Sequence, residues 1–327
     1  MRPEPVSKPS KTGFPDNNVN PPSPSPALCN ACGGALETHL TEVRDSETGE
    51  TFSILRCGRC GLGHTSPSPP DLAPYYRNYH GGRHGFTADW CVRRRMRFVH
   101  RLTARKTDGR LLDIGCGDGS FLLAAQAAGW RGVGTEMNPA AAQSLGLSVY
   151  SDLKDVHSLA PFDCITLWHT LEHMRDPRSL IAELAGLLSS SGVLIVAVPD
   201  AGGMQARTFG GHWFHLDVPR HLHHFTRNSL TRLLDSCGLN PVKEWNQEFE
   251  YDLLGWSQSA LNAIMKPQNL FFDLLRGRRP QAGTLRSMTA WAVGLLLTAA
   301  AVPLVPLGTV LRKGGTQIVA VRKRSGS

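Results

Sequence analysis

Three glycines at alternate positions follow an apolar run that ends in an acid. The chain here reads L-L-D-I-G-C-G-D-G-S-F, so Asp113 stands two residues ahead of Gly115, Gly117 and Gly119. Glycine lets the backbone turn sharply and pass close to a ligand, because a side chain at such positions would collide with it. The pattern predicts a strand, a ligand-binding loop, and a helix that begins at about Ser120.

A second acid stands at the end of the next apolar run. Glu136 follows about twenty residues after the first acid, where a carboxylate accepts hydrogen bonds from ribose hydroxyls. The competing pattern is the dinucleotide fingerprint G-x-G-x-x-G, which would need a glycine at position 120. Serine stands there, so the spacing argues against a loop that binds a pyrophosphate.

These residues resemble motif I of the class I S-adenosylmethionine (SAM) methyltransferases. The resemblance continues through 162–169 as the family's fourth strand, the turn at 171–177 and a fifth strand at 192–199. It implies an α/β protein with a Rossmann-like, seven-stranded, doubly wound sheet, whose last strand near 315–323 pairs with 241–245. It also implies SAM as the cofactor. The residues that would bind it are Asp113, Gly115, Gly117, Gly119, Glu136 and Met137, with Asp152 or Leu153 near the adenine.

Four cysteines form two C-x-x-C knuckles near the N-terminus. Cys29 and Cys32 make the first knuckle, Cys57 and Cys60 make the second, and a glycine follows each pair. Four thiolates at this spacing predict a zinc ribbon, because Zn²⁺ in structural sites is bound by four such ligands in a tetrahedron. Four protein ligands leave no open position, so we expect the Zn²⁺ to be structural.

The candidate catalytic residues are histidines that follow the fourth and fifth predicted strands. Residues 220–226 resemble the E-H-L-x-Y-F-S segment of zinc-containing deoxysugar C-methyltransferases, and this resemblance implies His221 as the general base. The alternative is that His221 only anchors the turn. Arg220 replaces the acid of that segment and is expected to pair with a substrate anion or with Asp217. We expect His169 at a strand tip beside the methyl donor.

The histidines also suggest two metal sites that we do not favour. Residues 169–173 read H-x-x-E-H, as in inverted zinc proteases, but that site needs both histidines on one helix, whereas His169 ends a predicted strand. Five histidines fall within 212–224, but they lack the i, i+4 spacing of a helical metal site. We therefore expect this second segment to form a wet, titratable pocket wall.

Composition divides the 327 residues into several regions. A proline-rich first segment without apolar runs is expected to be disordered. The segment after the ribbon is a stiff linker whose Tyr75, Tyr76 and Tyr79 are candidates for an active-site lid. The predicted organisation is a disordered tail at 1–27, a zinc ribbon at 28–66, a linker or lid at 67–88, a SAM methyltransferase core at 89–252 plus 313–324, and an apolar helical insertion at 253–312.

Residues 287–311 contain no charged side chain and are long enough to span a bilayer. The strand predicted after them must return to the sheet, so we expect peripheral attachment to an anionic membrane surface. The alternative is a buried helical cap or a homodimer interface. The net charge is +8, and much of the positive charge is assigned to a solvated helix face that carries Arg93, Arg94, Arg95, Arg97, Arg101 and Arg105. Few aromatic residues accompany these arginines, so nucleic acid is not expected as a partner.

The sequence therefore predicts SAM-dependent methyl transfer to a carbon or oxygen nucleophile of a small-molecule, glycan or lipid-linked substrate. The resembling family includes deoxysugar C-methyltransferases and ubiquinone-type O-methyltransferases. The alternative is a non-catalytic protein with a SAM fold and a zinc ribbon that binds a membrane or nucleic-acid partner. The start of the chain lacks a signal-peptide core, so we expect the cytoplasm, with attachment at the inner face of the cell membrane.

Overall fold

The computed structural model describes residues 28–76, 87–104, 108–278 and 282–324. The tail predicted at 1–27 and the lid candidate Tyr79 lie outside the described residues. The strands are β1 (Leu36–Arg44), β2 (Thr51–Cys57), β3 (Gly63–Ser66), β4 (Arg110–Ile114), β5 (Arg131–Thr135), β6 (Ser148–Tyr150), β7 (Phe162–Trp168), β8 (Leu188–Pro199), β9 (His223–His224), β10 (Leu239–Trp245) and β11 (Thr316–Lys323). The helices are α1 (Ala73–Tyr76), α2 (Ala88–Leu102), α3 (Ser120–Ala127), α4 (Ala140–Gln143), α5 (Pro177–Leu187), α6 (Met204–Phe209), α7 (Arg227–Ser236), α8 (Phe249–Ile264), α9 (Leu270–Leu275), α10 (Thr284–Ala301) and α11 (Leu304–Val310).

The large sheet has seven strands in the order β10-β11-β8-β7-β4-β5-β6. Strands β4 to β8 are parallel, and β11 runs antiparallel to both of its neighbours. Residues 193–198 of β8 are all fully buried, as expected of a strand whose sheet is covered on both faces. The predicted Rossmann-like, doubly wound fold is confirmed, and the last strand pairs with β10 as predicted.

The order of the strands reverses between β4 and β7. From β4 the chain moves outward to β5 and β6, and it then returns to place β7 on the other side of β4. Ile114 pairs with Leu167, so these two strands end side by side. In doubly wound sheets the ligand crevice lies beyond the carboxyl ends of the strands at this point.

The ends of two helices are set by local sequence. Helix α3 begins at Ser120, as predicted. Helix α5 begins at Pro177, and the Asp176 carboxylate accepts a hydrogen bond from the backbone N–H of Ser179 at 2.9 Å, so Asp176 is its N-cap. These two helices leave the sheet from the ends of β4 and β7 and therefore define the crevice.

The ribbon is joined to the core by a second sheet. This sheet has the order β1-β2-β3-β9, in which β1 to β3 come from the ribbon and β9 comes from the segment after β8. Gly63 pairs with His224 and His64 with His223. The ribbon therefore packs on the core as an integral layer.

The region predicted as a helical insertion begins at Phe249 and consists of α8 to α11. Residues Thr284–Val310 are long and apolar enough to cross a membrane by length and composition. An 18-residue window within them has a mean hydropathy of 2.0, and 22% of that window is buried. The exposed apolar residues from α10 to the end of α11 and the next residue include Leu285, Met288, Trp291, Leu295, Leu296, Val310 and Leu311. Strand β11 follows and lies inside the large sheet, so both flanks of α10 belong to one folded unit.

Candidate active site

The glycine loop lies where β4 passes into α3. Gly115, Gly117 and Gly119 have φ values of +70°, +55° and +81°, which L side chains rarely adopt. A Cβ on Gly115 would lie 2.7 Å from the side chain of Thr170, and one on Gly119 would lie 2.4 Å from Leu147. At Gly117 the described residues leave open space within 4 Å. The loop needs glycine for close packing at two positions and leaves room for a ligand at the third.

Glu136 lies beside this loop at the end of β5. Its carboxylate accepts the backbone N–H of Gly117 at 3.0 Å and that of Asn138 at 3.4 Å. The side chain is half-buried, so lone pairs of both oxygens remain for donors from outside the protein. Ribose hydroxyls are donors of this kind, so these residues fit the nucleoside of SAM.

The other residues predicted to bind the cofactor stand at the same edge of the sheet. The backbone N–H of Glu136 donates to the Tyr150 carbonyl at 2.9 Å, which brings the ends of β5 and β6 together. Met137 is 78% exposed. Asp152 is exposed and caps the short turn that follows it, and Leu153 is half-buried.

Asp113 is buried at the end of β4. It accepts a hydrogen bond from the Thr166 hydroxyl at 2.6 Å. Burial raises the pKa of Asp113 to about 7, although the Thr166 hydrogen bond and the charge of Arg95 oppose the shift. The carboxyl group thus ties β4 to β7 next to the glycine loop.

His169 follows β7 with a φ of +54°, and its ring stacks on Tyr251 with 4.3 Å between centroids. Nε2 is hydrogen-bonded to Glu248, and Nδ1 lies 3.6 Å from Glu172 Oε1. Burial disfavours the charged ring, but the two carboxylates outweigh it and raise the pKa of His169 to about 9. At neutral pH the ring is an imidazolium between two carboxylates and has no lone pair to accept a proton.

Two arginines of α2 reach Glu248, one of the two carboxylates beside His169. Arg94 is ion-paired with Glu248 and Glu250, and Arg95 Nε lies 3.9 Å from Glu248. The predicted solvated helix face is therefore wrong for Arg94 and Arg95. Sequence reasoning missed this network because Arg94 and Glu248 are 154 residues apart and no local pattern links them.

His221 lies in a buried cluster with Glu172 and His173. His221 Nδ1 is 2.8 Å from the carbonyl oxygen of His215, and its Nε2 is 4.0 Å from Glu172 Oε1. His173 Nδ1 is 2.9 Å from the carbonyl oxygen of Arg220. The exposed fraction is 7% for His221 and 1% for Glu172. The structure thus brings the predicted base together with two residues of the H-x-x-E-H run.

The segment at 212–224 is not the wet pocket wall that was predicted. His215, His223 and His224 are buried, as is His221. Burial lowers the pKa of His215 and of His223 to about 3, so these rings are neutral at physiological pH. The ribbon covers part of this segment through the pairing of β3 with β9. The local sequence of 212–224 does not indicate that another segment will cover it.

Comparison with known proteins identifies the fold that carries these residues. Residues 84–244 match the family described as "Methyltransferase domain". The chain carries a class I SAM-dependent methyltransferase domain. No protein with a curated description matches the sequence.

Several solved structures are similar to this methyltransferase. Coclaurine N-methyltransferase bound to N-methylheliamine and SAH is 15% identical, with a TM-score of 0.45 and coverage of 71% of this chain and 70% of that one. A SAM-dependent methyltransferase from Archaeoglobus fulgidus is 17% identical, with a TM-score of 0.44 and coverage of 77% and 100%. A cyclopropane synthase from Mycobacterium tuberculosis is 15% identical, with a TM-score of 0.43 and coverage of 70% and 84%. The assignment rests on the domain match and on the geometry of the glycine loop.

The ribbon ahead of the methyltransferase domain brings its four cysteines together. Cys29 Sγ is 3.5 Å from Cys60 Sγ, Cys32 Sγ is 3.5 Å from Cys57 Sγ, and the four sulfurs lie within 4.8 Å of one another. Zn–S bonds of about 2.3 Å place tetrahedral sulfurs about 3.8 Å apart. A Cβ on Gly34 would lie only 2.9 Å from Cys57 Sγ, so the knuckle needs glycine there. The cluster fits a zinc ribbon.

Arg220 ties the ribbon to the methyltransferase domain. Its guanidinium donates to Asp217 at 2.6 Å, to Asp45 in the ribbon at 3.0 Å and to the Tyr75 carbonyl at 3.1 Å. The pair with Asp217 was one of the two predicted partners. Because Arg220 is only 2% exposed and bound to these groups, it organises the protein's own segments in this structure.

The two described lid candidates have different partners. The Tyr75 hydroxyl donates to Glu50 of the ribbon at 2.5 Å. The Tyr76 hydroxyl lies 2.9 Å from His173 Nδ1. The linker therefore reaches the buried cluster of the methyltransferase domain through Tyr76.

Proposed function

We propose that this methyltransferase moves a methyl group from SAM to a carbon or oxygen nucleophile of a small-molecule, glycan or lipid-linked acceptor. The observation that carries the proposal is the contact between the glycine loop and the segment that begins at His169. A Cβ on Gly115 would meet Thr170, whose hydroxyl donates to the Ile114 carbonyl at 3.0 Å. This contact sets the glycine loop beside the turn that carries His169 and Glu172, which supports a methyl donor and an acceptor bound in one crevice.

Each group in the crevice has a proposed role. Glu136 holds the ribose hydroxyls, and the glycine loop, Asp113, Met137, Asp152 and Leu153 shape the rest of the cofactor site. When bound, SAM supplies a methyl group on a positively charged sulfur. His221 assists the removal of the acceptor's proton. His169 lines the acceptor cavity and holds the side chains of Glu172 and Glu248 in place. Cys29, Cys32, Cys57 and Cys60 bind one structural Zn²⁺.

The acceptor can be found by following the methyl group. Cell extracts incubated with methyl-labelled SAM and the purified protein should yield a labelled product, which mass spectrometry identifies. The matched control is the same extract with the Glu136→Ala variant. Absence of SAM binding by calorimetry, together with absence of label, would favour the non-catalytic interaction protein over the enzyme.

Replacement of Glu136 by alanine should weaken SAM binding. Hydrogen bonds to a charged group contribute about 1.5–3 kcal/mol, so the dissociation constant should rise about 10- to 150-fold. Calorimetric titration measures it, with Asp155→Ala as the control because Asp155 is an exposed acid outside the predicted cofactor residues. An unchanged affinity in Glu136→Ala would remove this residue from the cofactor site.

We also propose that the exposed face of α10 rests on an anionic membrane surface. Leu285 and Leu296 are 79% and 72% exposed. Arg286, Arg312 and Lys313 flank the apolar stretch and are exposed as well, and basic residues at the rim of an apolar face suit anionic headgroups. Because β11 returns to the large sheet, the proposed attachment is peripheral. It would favour an acceptor that itself resides at a membrane.

Vesicle binding should depend on two of these leucines. A leucine buried in an apolar medium contributes roughly 1.5–3 kcal/mol. The double variant Leu285→Asp/Leu296→Asp should therefore bind anionic vesicles at least ~100-fold more weakly in a sedimentation assay. Leu145→Asp is the control, since Leu145 is 51% exposed away from α10. If the wild type ignores anionic vesicles and sediments as a dimer that the double variant abolishes, the face is a homodimer interface instead.

A further inference from the structure

A buried carboxylate without a hydrogen bond lies at the centre of the histidine cluster. Neither oxygen of Glu172 has a hydrogen-bond partner among the described residues, although the side chain is almost fully enclosed. His169 Nδ1 lies 3.6 Å and His221 Nε2 4.0 Å from Glu172 Oε1. Buried polar groups in native proteins are nearly always satisfied, so this carboxylate indicates a missing ligand.

The two histidines beside it have the hydrogen bonds that metal-binding histidines make. His173 Nδ1 and His221 Nδ1 lie 2.9 Å and 2.8 Å from backbone carbonyl oxygens. A carbonyl oxygen only accepts, so Nδ1 carries the proton in each ring and Nε2 keeps its lone pair. The Tyr76 hydroxyl, 2.9 Å from His173 Nδ1, then accepts from the same N–H. This second hydrogen bond fixes the tautomer of metal-binding histidines in general.

We propose that Glu172, His173 and His221 bind one divalent transition-metal ion, separate from the ion in the cysteine ribbon. One ligand atom from each of the three residues lies within 4.8 Å of the others. Bonds of about 2.0–2.2 Å place tetrahedral ligands about 3.4 Å apart, so the Glu172 oxygen moves by roughly half an ångström toward His221. Two imidazoles and one carboxylate are one of the ligand sets of catalytic zinc sites, which keep an open fourth position.

This site differs from the zinc-protease pattern considered for the sequence. There the two histidines of the H-x-x-E-H run would bind the metal together. Here His169 is engaged with Glu248, and the second imidazole comes from His221, which is brought in by the segment before β9. The three ligands therefore come from two segments that the fold brings together, and the H-x-x-E-H run supplies only two of them.

The role of the ion rests on the proposed function. An acceptor hydroxyl, phenol or enol bound at the open position would have a lowered pKa, because the ion stabilises the oxyanion. The O–H bond breaks with its proton leaving to solvent. An electron pair of the anion forms the bond to the methyl carbon, while the S–CH₃ bond breaks with its pair on sulfur. The proposal thus narrows the acceptor to one with an ionisable oxygen and makes His221 a ligand rather than the base.

Cobalt substitution separates the two metal sites. Full-length protein dialysed against a mild chelator and titrated with Co²⁺ should show one equivalent whose visible absorption lacks the thiolate-to-cobalt charge-transfer band of the ribbon. Glu172→Gln should lose that equivalent completely while keeping the ribbon's metal. Glu183→Gln is the matched control, because Glu183 pairs with His157 at 2.7 Å on the surface.

SAM binding shows that the Glu172→Gln variant is folded, since Glu172 has no part in the cofactor loop. Retained SAM affinity with loss of the cobalt equivalent supports the site. A wild type that takes up Co²⁺ only with the charge-transfer band overturns the proposal, whether or not methyl transfer occurs. Failure of the proposed function has a different signature, namely a bound second metal with no SAM affinity and no transfer of label.

Discussion

Replacement of Cys57 by serine should strip the metal from the ribbon and slow methyl transfer strongly, with SAM affinity unchanged. A ribbon of this size has too small a core to fold alone. Binding of structural Zn²⁺ contributes about 10–16 kcal/mol in small zinc modules at neutral pH, so loss of one thiolate should unfold residues 28–66 locally. Zinc analysis and hydrogen exchange measure these two effects.

The expected loss of activity follows from contacts between the ribbon and the segment that carries His221. The Thr65 hydroxyl donates to the His221 carbonyl at 2.6 Å, and the Thr65 N–H donates to the Leu222 carbonyl at 3.0 Å. On the other side, the Thr226 hydroxyl and the Asn228 amide donate to the Cys60 carbonyl at 3.2 and 3.1 Å. Unfolding of the ribbon would therefore release the segment that carries His221, whereas the glycine loop keeps its own support.

Cys237→Ser is the control for this experiment, since Cys237 lies alone outside the ribbon. If Cys57→Ser is insoluble, treatment of wild-type protein with a strong chelator gives the same test. Full zinc content in Cys57→Ser, or methyl transfer at the wild-type rate after complete zinc removal, would contradict the prediction.

The parts of the fold that could be predicted are those with a local signal. The glycine loop, the start of α3 at Ser120 and the cap at Asp176 are each determined within a few residues by backbone conformation. The pairing of β10 with β11 was predictable because both segments read as strands and both follow the fifth strand of the predicted sheet. The two C-x-x-C knuckles predicted that the four cysteines lie close together.

The parts that could not be predicted depend on contacts between distant segments. Arg94 looks like any arginine on an amphipathic helix until Glu248 is placed against it. Glu172 and His221 carry no local signal of burial, and they come together only when the segment before β9 packs on the turn after β7. A one-dimensional pattern reports which face of an element is apolar, but it does not report which element covers a polar face.

Replacement of His221 by alanine should lower the rate of methyl transfer by a factor of ~100 to 10,000, the range found for loss of a group that assists proton transfer. SAM affinity should stay unchanged, because the contacts of the cofactor loop and Glu136 do not involve His221. The assay is turnover with the acceptor identified by labelling. His212→Ala is the matched control, since His212 belongs to the same segment but is exposed.

A double variant tells whether His221 and Glu172 act as one site. If both act through one bound ion, the pair His221→Ala/Glu172→Gln should cost no more than the worse single change, because the site is already lost. Independent roles would instead make the two losses multiply. Full turnover in His221→Ala would leave the residue with its hydrogen bond to the His215 carbonyl as its only function, that of an anchor for the turn.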